Sequence, residues 1–575
     1  MTRKEMDRLG WEELDILLVS GDAYVDHPSF GAPLLGRWLV AHGYRVGIVA
    51  QPRWTNTDDI AQMGRPKLFA GVTAGALDSM LAHYTAFRKK RHDDAYTPGG
   101  QCGARPNRAA IVYSSLVKQA FPKLPIVLGG IEASLRRITH YDFWTDKLRR
   151  SILLDAKADV ILYGMAERGI LQVADRLRDG HALTDATLSG AAYMGDIAAI
   201  PAGSPVVQLP SHEQMLAEPQ KLMEATLYIE QQVHHGDTWA VQPVEGRTLI
   251  LTPLQPLTTE ELDRLYAMPF NREPHPSYTQ PIPAADMIRF SMNSHRGCGG
   301  GCSFCALAIH QGRTIRSRSK ASLLKEAEEL SRHPKFNGSI SDVGGPSANM
   351  WQAYCDDDPS RCQRASCLTP TICPHFVVDQ MQTLDLLRQM QKLPKVRHVR
   401  IASGIRHDLA LKDPQYVGAL VREFVGGQLK IAPEHLTDSV LRLMRKPGRK
   451  VFEQFLDLFE QECHAAGKEQ YVIPYLMSAF PGCTDRDMHE LAAWLKKRGW
   501  RPQQVQCFIP LPGTVAAAMY YAGTDPSGEA IPVAHTDAQR LRMHHVLIGD
   551  SCPPTGSGDA QFHRPGHRDK PRPRY

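Results

Sequence analysis

The sequence has no run of about 18 consecutive apolar residues, the length that a helix needs to cross a bilayer. Its first residues, Met1 to Asp7, lack the apolar core of a signal peptide. The Gly-x-Gly-x-x-Gly fingerprint of dinucleotide-binding folds is also absent. We therefore expect a cytoplasmic protein with no membrane partner and no dinucleotide cofactor.

Excess charge of one sign is small as well. The net charge is +6 over 575 residues, which argues only weakly for a nucleic-acid partner. Part of it lies near the end of the chain, where five cations are opposed only by Asp569: Arg564, Arg568, Lys570, Arg572 and Arg574. A chain of this length exceeds what one hydrophobic core usually supports, so two or three domains are expected.

Cysteine is present but unevenly distributed, with seven of 12 residues falling between positions 298 and 373. In a long chain without an export signal, such crowding favours metal binding over disulfides. Three of these thiols, Cys298, Cys302 and Cys305, share one glycine-rich loop after a predicted strand. Three thiolates can hold an iron-sulfur cluster or three positions of a zinc tetrahedron, and three protein ligands rather than four leave one coordination position open for chemistry.

Apolar runs alternate with helical patterns along the first 204 residues, from the strand that begins at Asp15 to the helix that begins at Glu167. This alternation predicts a doubly wound parallel sheet for residues 1–204. Residues 205–285 are rich in proline around one helical stretch at 212–232, so we interpret them as a connector that wraps between domains.

A second series of strand and helix patterns covers residues 286–525 and predicts a partial (βα)6 barrel, open on one side. Its six predicted strands are Met287 to Ser294, Phe336 to Val343, Val396 to Ser403, Gln428 to Pro433, Gln470 to Tyr475 and Gln504 to Ile509. Residues 526–575 have no core pattern over most of their length and are predicted to form a largely disordered tail.

A second group of thiols lies in a Cys-rich insertion, residues 351–376, that shows no helix or strand periodicity. The group consists of Cys355, Cys362, Cys367 and Cys373. Their spacing matches no zinc finger or ferredoxin pattern, so the thiols could hold structural zinc, an auxiliary iron-sulfur cluster or no metal.

The spacing Cys-x3-Cys-x2-Cys, with Phe304 before the last cysteine, resembles the signature of radical S-adenosylmethionine enzymes. The resemblance implies that Cys298, Cys302 and Cys305 bind three irons of a 4Fe-4S cluster whose fourth iron binds S-adenosylmethionine. It also implies that Phe304 packs near the adenine, and that Gly344 and Gly345 receive the methionyl amino group, with a simple tight turn as the less favoured interpretation of the two glycines.

Polar residues at the ends of later strands complete the predicted cofactor site. Ser403 and Arg406 offer a hydroxyl and a guanidinium for the ribose and the carboxylate of the cofactor. Glu434 could bind an amine or hydroxyl, or it could cap the helix that begins near Thr437. No catalytic side chain is predicted.

Four further motifs narrow the resemblance to YgiQ-type radical S-adenosylmethionine proteins over about residues 12–525: Asp342-Val-Gly-Gly-Pro, Arg400-Ile-Ala-Ser-Gly-Ile-Arg406, Lys430-Ile-Ala-Pro-Glu-His435 and Met519-Tyr-Tyr-Ala-Gly. The N-terminal sheet would then be similar to a cobalamin domain. However, Asp26-His27-Pro-Ser-Phe-Gly31 departs from the Asp-x-His-x-x-Gly cobalamin loop, so cobalamin is not predicted and His27 is interpreted as a loop residue. A wider relationship to methylthiotransferases of tRNA or ribosomal protein is also suggested. Those enzymes carry a second cluster in the N-terminal domain, whereas the N-terminal half of this chain has only Cys102 to bind one.

The function that this resemblance implies is reductive cleavage of S-adenosylmethionine to a 5′-deoxyadenosyl radical, which takes hydrogen from an unknown substrate. RNA and protein both stay open as substrates, and an external electron donor such as flavodoxin or ferredoxin is expected. The alternatives are a zinc protein that binds RNA through Arg313, Arg316, Arg318 and the basic tail, a sulfur-inserting modifier of tRNA or protein, and an iron-sulfur electron carrier without turnover.

Overall fold

The computed structural model describes residues 2–549, except 185–187, 359–361 and 503. The prediction for residues 550–575 therefore lies outside the described residues. Among those described, no helix combines the length and the apolar character that crossing a membrane requires.

The first half of the chain is built on a mixed sheet of nine strands in the order β2-β1-β3-β4-β7-β8-β11-β10-β9. Strands β2, β1, β3, β4 and β7 pair in parallel, whereas β7–β8, β8–β11 and β11–β10 pair antiparallel. The strand bounds are β1 Ile16–Ser20, β2 Val46–Ala50, β3 Phe69–Thr73, β4 Ile126–Gly129, β5 His140–Asp142, β6 Lys147–Arg149, β7 Val160–Leu162, β8 Ala191–Met194, β9 Val206–Gln208, β10 Trp239–Val244 and β11 Arg247–Leu251. Strands β5 and β6 form a separate hairpin.

Helices pack on both faces of this sheet, as expected where successive parallel strands are joined by crossovers. Their bounds are α1 Arg3–Arg8, α2 Gly31–Ala41, α3 Asp58–Ala61, α4 Ser79–His83, α5 Ala109–Ala120, α6 Gly130–Leu135, α7 Ile152–Asp155, α8 Glu167–Arg178, α9 His212–Ala217, α10 Gln220–His235 and α11 Thr259–Tyr266. Leu17, Val19 and Leu128 are fully buried in the sheet, which explains why these strands are almost continuously apolar.

The segment at 205–285 contributes more than a connection, because β9, β10 and β11 come from it and extend the N-terminal sheet. Strands β10 and β11 form a tight hairpin at Glu245 and Gly246, both with positive φ. Leu249 and Leu251 are fully buried. The hairpin was not predicted, because the many prolines of this segment indicated a connector. The division of the chain at residue 204 stays a prediction.

The second half contains a curved row of parallel strands. Its strands form the parallel pairs β12–β16, β15–β19, β20–β21 and β21–β22, and a parallel bridge between Ile405 and Ile431 links the segment after β19 to β20. The bounds are β12 Ser291–Asn293, β13 His295–Arg296, β14 Arg316–Ser317, β15 Ser339–Ile340, β16 Asp342–Gly344, β17 Tyr354–Cys355, β18 Phe376–Val377, β19 His398–Val399, β20 Gln428–Glu434, β21 Tyr471–Ser478 and β22 Gln504–Cys507. The predicted fold class, a doubly wound sheet followed by a partial barrel, is confirmed.

Helices alternate with these strands: α12 Pro283–Ile288, α13 Ala306–Gln311, α14 Lys320–Ser331, α15 Gln380–Gln391, α16 His407–Ala410, α17 Pro414–Ala419, α18 Asp438–Met444, α19 Arg449–Ala465, α20 Asp485–Lys497, α21 Val515–Ala522 and α22 Asp537–Ile548. The first barrel strand begins later than predicted, because Met287 and Ile288 belong to α12. Pro283 at the first position of that helix favours a helical start.

Helix α22 lies inside the region that was predicted to be a largely disordered tail. It begins with a capping box formed by Thr536 and Gln539, and it buries Met543 and Leu547. Arg540 is fully buried and donates hydrogen bonds to the carbonyls of Ala86 and Phe508. Because these carbonyls belong to different halves of the chain, α22 helps to fasten them together.

Candidate functional site

The cluster loop, residues 297–305, joins β13 to α13. Strand β13 pairs with β14, and the Cys298 N–H donates to the carbonyl of Gly312 at 3.1 Å, so both ends of the loop are held. Cys305 is the N-cap of α13, and its N–H donates to the Cys302 carbonyl at 3.0 Å. The local hydrogen bonds therefore gather the three predicted ligands on one short piece of chain.

Burial raises the pKa of the Cys298 thiol, and it raises that of Cys305 to about 12. The other thiols of the loop add like charge in the same direction. Thiols held in this way stay protonated at neutral pH unless a metal takes the place of the proton. The donor set therefore fits a soft metal centre whose loading releases protons.

Two sulfurs of the loop face the same point beside Gly300. A Cβ built there would lie 3.4 Å from Cys298 Sγ and 3.7 Å from Cys302 Sγ. Among the described residues, no group of three or more His, Cys, Asp or Glu side chains is close enough to surround a single metal ion. The assignment of Cys298, Cys302 and Cys305 as ligands therefore rests on their chemistry and spacing, and it stays a prediction.

Two buried cations lie beside these thiols. Arg406 Nη1 is 3.8 Å from Cys302 Sγ, and the same guanidinium donates to both Asp408 oxygens at 2.9 and 2.6 Å. Lys446 Nζ donates to the Ala432 carbonyl at 2.8 Å. Burial is the largest influence on the pKa of both cations and acts to lower it. Asp408 and then Cys302 raise the pKa of Arg406, and Cys302 and then Glu434 raise that of Lys446. Two positive charges therefore lie where they would stabilise thiolates and a reduced cluster. Of the two residues, Lys446 was not identified from the sequence.

Phe304 and Glu434 are brought together through Lys446. The ammonium lies 5.8 Å from the centre of the Phe304 ring and 3.4 Å from Glu434 Oε1. Glu434 has a φ of 68°, an uncommon conformation for a residue with a side chain. Helix α18 has Thr437 as its N-cap, so Glu434 is not the helix cap that the sequence left open.

Gly344 and Ser403 meet at the carboxyl ends of neighbouring strands. A Cβ at Gly344 would lie 2.3 Å from Ser403 Oγ, which itself donates to Asp342 Oδ1 at 3.2 Å. Gly345 packs on His295, where an added Cβ would lie 2.7 Å from the imidazole ring. Glycine at these two positions is therefore required by close packing against Ser403 and His295, and a role of Gly344 and Gly345 in binding the cofactor stays a prediction.

The Cys-rich insertion lies directly on the cluster loop. Ser366 Oγ donates to the Gly300 carbonyl at 2.6 Å, and the Cys367 N–H donates to the Gly299 carbonyl at 2.9 Å. The Cys373 N–H donates to the Cys367 carbonyl at 2.7 Å. The insertion therefore covers the predicted cluster, a contact that the sequence did not reveal.

Within the insertion, burial raises the pKa of Cys367, and the nearby thiols of Cys362 and Cys373 add to this effect. Arg313 acts in the opposite direction, with Nη2 at 3.6 Å from Cys367 Sγ. Cys355 is exposed on β17. Three of the four predicted thiols are thus electrostatic neighbours in the structure.

The basic run proposed for RNA binding is mostly internal. Arg313 is 4% exposed and donates to the Arg364 carbonyl at 2.7 Å. Arg318 is 1% exposed and pairs with Glu326. Only Arg316 of this run is exposed, so the run does not form the cationic surface that RNA needs.

Comparison with known proteins matches this chain to relatives over most of their length. Residues 1–291 match the family model described as Radical SAM N-terminal. The chain is 51% identical to a UPF0313 protein of Geobacter sulfurreducens, over 95% of this chain and 91% of that one. It is 45% identical to a UPF0313 protein of Vibrio vulnificus, over 95% and 79% of the two chains.

Among solved structures, the fold is similar to the radical S-adenosylmethionine methyltransferase TsrM from Kitasatospora setae with cobalamin and a [4Fe-4S] cluster bound. The TM-score is 0.51 and the sequence identity is 12%, and the match covers 93% of this chain and 85% of that one. At this identity the likeness concerns the fold alone.

Proposed function

The chain belongs to the UPF0313 family and is a radical S-adenosylmethionine enzyme, and from this premise we propose that Cys298, Cys302 and Cys305 bind a 4Fe-4S cluster. In this proposal the enzyme cleaves S-adenosylmethionine reductively to take hydrogen from a substrate. The observation that carries the proposal is the set of three thiols on one glycine-rich loop, with Arg406 and Lys446 beside them.

Held by Cys298, Cys302 and Cys305, the cluster would supply the electron for reductive cleavage of S-adenosylmethionine to methionine and a 5′-deoxyadenosyl radical. The chain's own residues orient the cofactor and exclude water. Gly344 lets Ser403 pack closely against the end of its strand, and Glu434 and Phe304 both lie beside Lys446. Asp408 accepts hydrogen bonds from Nε and Nη2 of Arg406 and so holds the guanidinium in place. Its remaining N–H groups can then donate to a carboxylate or a sulfur.

The test uses anaerobically reconstituted protein, dithionite and S-adenosylmethionine, with 5′-deoxyadenosine as the measured product. We expect Cys302→Ala to lose both the product and most of the bound iron. Cys463→Ala is the matched control, because Cys463 is a buried thiol on α19 outside the site. Zinc at the loop of the wild type, with no cleavage, would instead favour the zinc-protein alternative.

We infer that the Cys-rich insertion holds a second metal through Cys362, Cys367 and Cys373, with Cys355 as the remaining thiol. The support is their electrostatic proximity at a place where the insertion covers the cluster loop. Iron and zinc per chain, measured before and after Cys362→Ala and Cys367→Ala are combined, separate the possibilities. A loss of iron indicates an auxiliary cluster and a loss of zinc a structural site, whereas unchanged metal content would contradict the inference.

The electron comes, in this proposal, from an external carrier such as flavodoxin or ferredoxin, and the protein is cytoplasmic. RNA and protein stay possible sources of the substrate. Sulfur insertion is the less favoured alternative, because Cys102 is the only cysteine in the N-terminal half of the sequence and a second cluster there would lack ligands.

A further inference from the structure

A cavity of about 450 Å³ lies between the carboxyl edge of the N-terminal sheet and the cluster-loop side of the barrel. The sheet contributes residues at or just after the carboxyl ends of β1, β3 and β4, among them Asp22, Thr73 and Gly129. The opposite wall contains His295, just before the cluster loop, and Gly345. A volume of this size accommodates a drug-sized molecule.

The topology of the sheet favours a ligand at this place. Strand β1 pairs with β2 on one side and with β3 on the other, so the strand order reverses at β1. In doubly wound sheets, ligands bind outside the carboxyl ends of the strands at such a switch point. The cavity lies there, and Gly345 makes it adjacent to the predicted cofactor site.

The lining offers a phosphate group no free cation among its side chains. Its charged members are Asp22, Glu167 and Arg296, and the single cation already donates to Glu167 Oε1 at 2.7 Å. Burial lowers the pKa of His295 and His310 to about 4, so neither imidazole is positive at neutral pH. A phosphorylated ligand would therefore meet no free cation among the lining residues.

Three buried polar atoms of the lining have no hydrogen-bond partner in the part of the chain that the structure describes: Asp22 Oδ1, Glu167 Oε2 and His295 Nε2. Asp22 Oδ1 lies 3.1 Å from Arg105 Nη2, so its charge is paired. Glu167 is 2% exposed, and its Oε2 has no hydrogen-bond partner within the described part of the chain. A buried carboxylate oxygen without a donor is costly, so a bound N–H or O–H group would be stabilised there. Most of the remaining surface is apolar, including Leu18, Val127 and Leu162.

We propose, on the basis of the function proposed above, that this cavity binds the substrate and that the substrate is an uncharged, largely apolar compound without phosphate, with an N–H or O–H donor to Glu167. In the reaction, one substrate C–H bond breaks and one bond forms between that hydrogen and the 5′-carbon of the deoxyadenosyl radical. The unpaired electron passes to the substrate, and the exchange needs no further oxidant. The same chemistry can come from a free metabolite or from a base within RNA.

The experiment uses the reconstituted holoenzyme and a dialysable extract of the producing cells, divided on an anion exchanger into unretained and retained fractions. Nuclease-digested RNA, dephosphorylated to nucleosides, is a separate addition that tests the RNA source. The readout is the ratio of 5′-deoxyadenosine formed with and without each addition. We expect the unretained fraction or the nucleosides to raise this ratio by about tenfold, and the retained fraction not to do so.

Gly129→Leu is the variant that fills the cavity. Gly129 has extended backbone, and a Cβ there would meet only the Leu162 carbonyl at 3.7 Å, so the substitution adds volume without backbone strain. We expect it to reduce the stimulation by about tenfold or more. Ala465→Leu, on the exposed side of α19, adds the same group outside the cavity and should keep the full stimulation.

Glu167→Gln is the second variant. It tests the same proposal if Gly129→Leu fails to bind the cluster. It keeps an oxygen for Arg296 but replaces the free acceptor by a donor, so it should also lower the stimulation. Equal stimulation in both variants, stimulation by the retained fraction alone or no stimulation by any addition would overturn the proposal. So would stoichiometric binding of added hydroxocobalamin that Gly129→Leu abolishes. Loss of unstimulated cleavage in the wild type would instead overturn the proposed function.

Discussion

Replacing Glu326 with alanine should destabilise the protein by about 3–5 kcal/mol, because it would leave two buried guanidinium groups without their counterion. Arg272 and Arg318 are 5% and 1% exposed, and Glu326 is 6% exposed. Arg272 pairs with Oε1 of Glu326, and Arg318 pairs with Oε2. Arg272 also donates to the carbonyls of Arg289 and Ser291 at 3.0 and 2.9 Å, but carbonyls do not neutralise its charge. The triad ties the 205–285 segment to α14 of the barrel.

The assay is urea-induced unfolding of the anaerobic holoprotein, followed by tryptophan fluorescence. Trp351 donates its indole N–H to the Arg318 carbonyl at 3.0 Å and reports on this region. Glu326→Gln keeps the size and one acceptor, so a smaller loss is expected. Glu490→Ala breaks the exposed pair with Arg486 and should change the midpoint little. A loss below about 1 kcal/mol for Glu326→Ala would refute the assumption that the triad is held together by buried charge.

Three further outcomes are expected. Arg406→Gln should shift the reduction potential of the cluster to more negative values and Asp408→Asn to more positive ones, and an electrochemical titration that moved both in one direction would contradict this electrostatic role. Burial lowers the pKa of His407 to about 3, so the folded protein stays unprotonated at His407 between about pH 6.5 and pH 3, where the unfolded chain binds a proton. The free energy of unfolding should therefore fall on acidification through this range. His407→Phe should reduce that pH dependence, measured by urea titration at several pH values, by up to about 1.4 kcal/mol per pH unit. Ser366→Ala should speed loss of the visible cluster absorption in air, because it removes the 2.6 Å hydrogen bond between the insertion and the cluster loop; an unchanged rate would show that the insertion does not protect the cluster.

Much of the fold could be predicted because its strands are short apolar runs at regular spacing. Strand β1 and its parallel neighbours are buried on both faces, and such strands are visible in sequence as continuous apolar segments. The β10–β11 hairpin was missed because proline content suggested a connector, although Glu245-Gly246 is a turn signal. Helix α22 was missed because only two of its apolar residues, Met543 and Leu547, are buried, and its other buried side chains, Arg540 and His544, are polar.

The candidate site was predictable where chemistry is local in sequence and not where it depends on distant residues. The spacing of Cys298, Cys302 and Cys305 is a local pattern. By contrast, Lys446 comes from a position more than a hundred residues later in the chain. Which oxygen of Glu167 lacks a hydrogen-bond donor is likewise decided only in the folded protein, where Arg296 donates to Oε1. Long-range pairing of this kind leaves no periodicity in the sequence.

The cluster loop and the Cys-rich insertion should fold as one unit, which follows from the loop's bare backbone. Gly301 has a φ of 57°, and a Cβ there would lie 2.3 Å from the Ala365 carbonyl, so any side chain would separate the two segments. Arg445 Nη1 donates to the Gly301 carbonyl at 3.2 Å and pairs with Glu230 at 2.5 Å, which adds α10 to the same contact. A metal bound in the insertion would therefore stabilise the geometry of the thiols that precede it, whatever its own redox chemistry. If that coupling is real, Gly301→Ala should lower the iron bound at the cluster loop and the metal bound in the insertion together, whereas a loss confined to one of them would show that the segments fold separately.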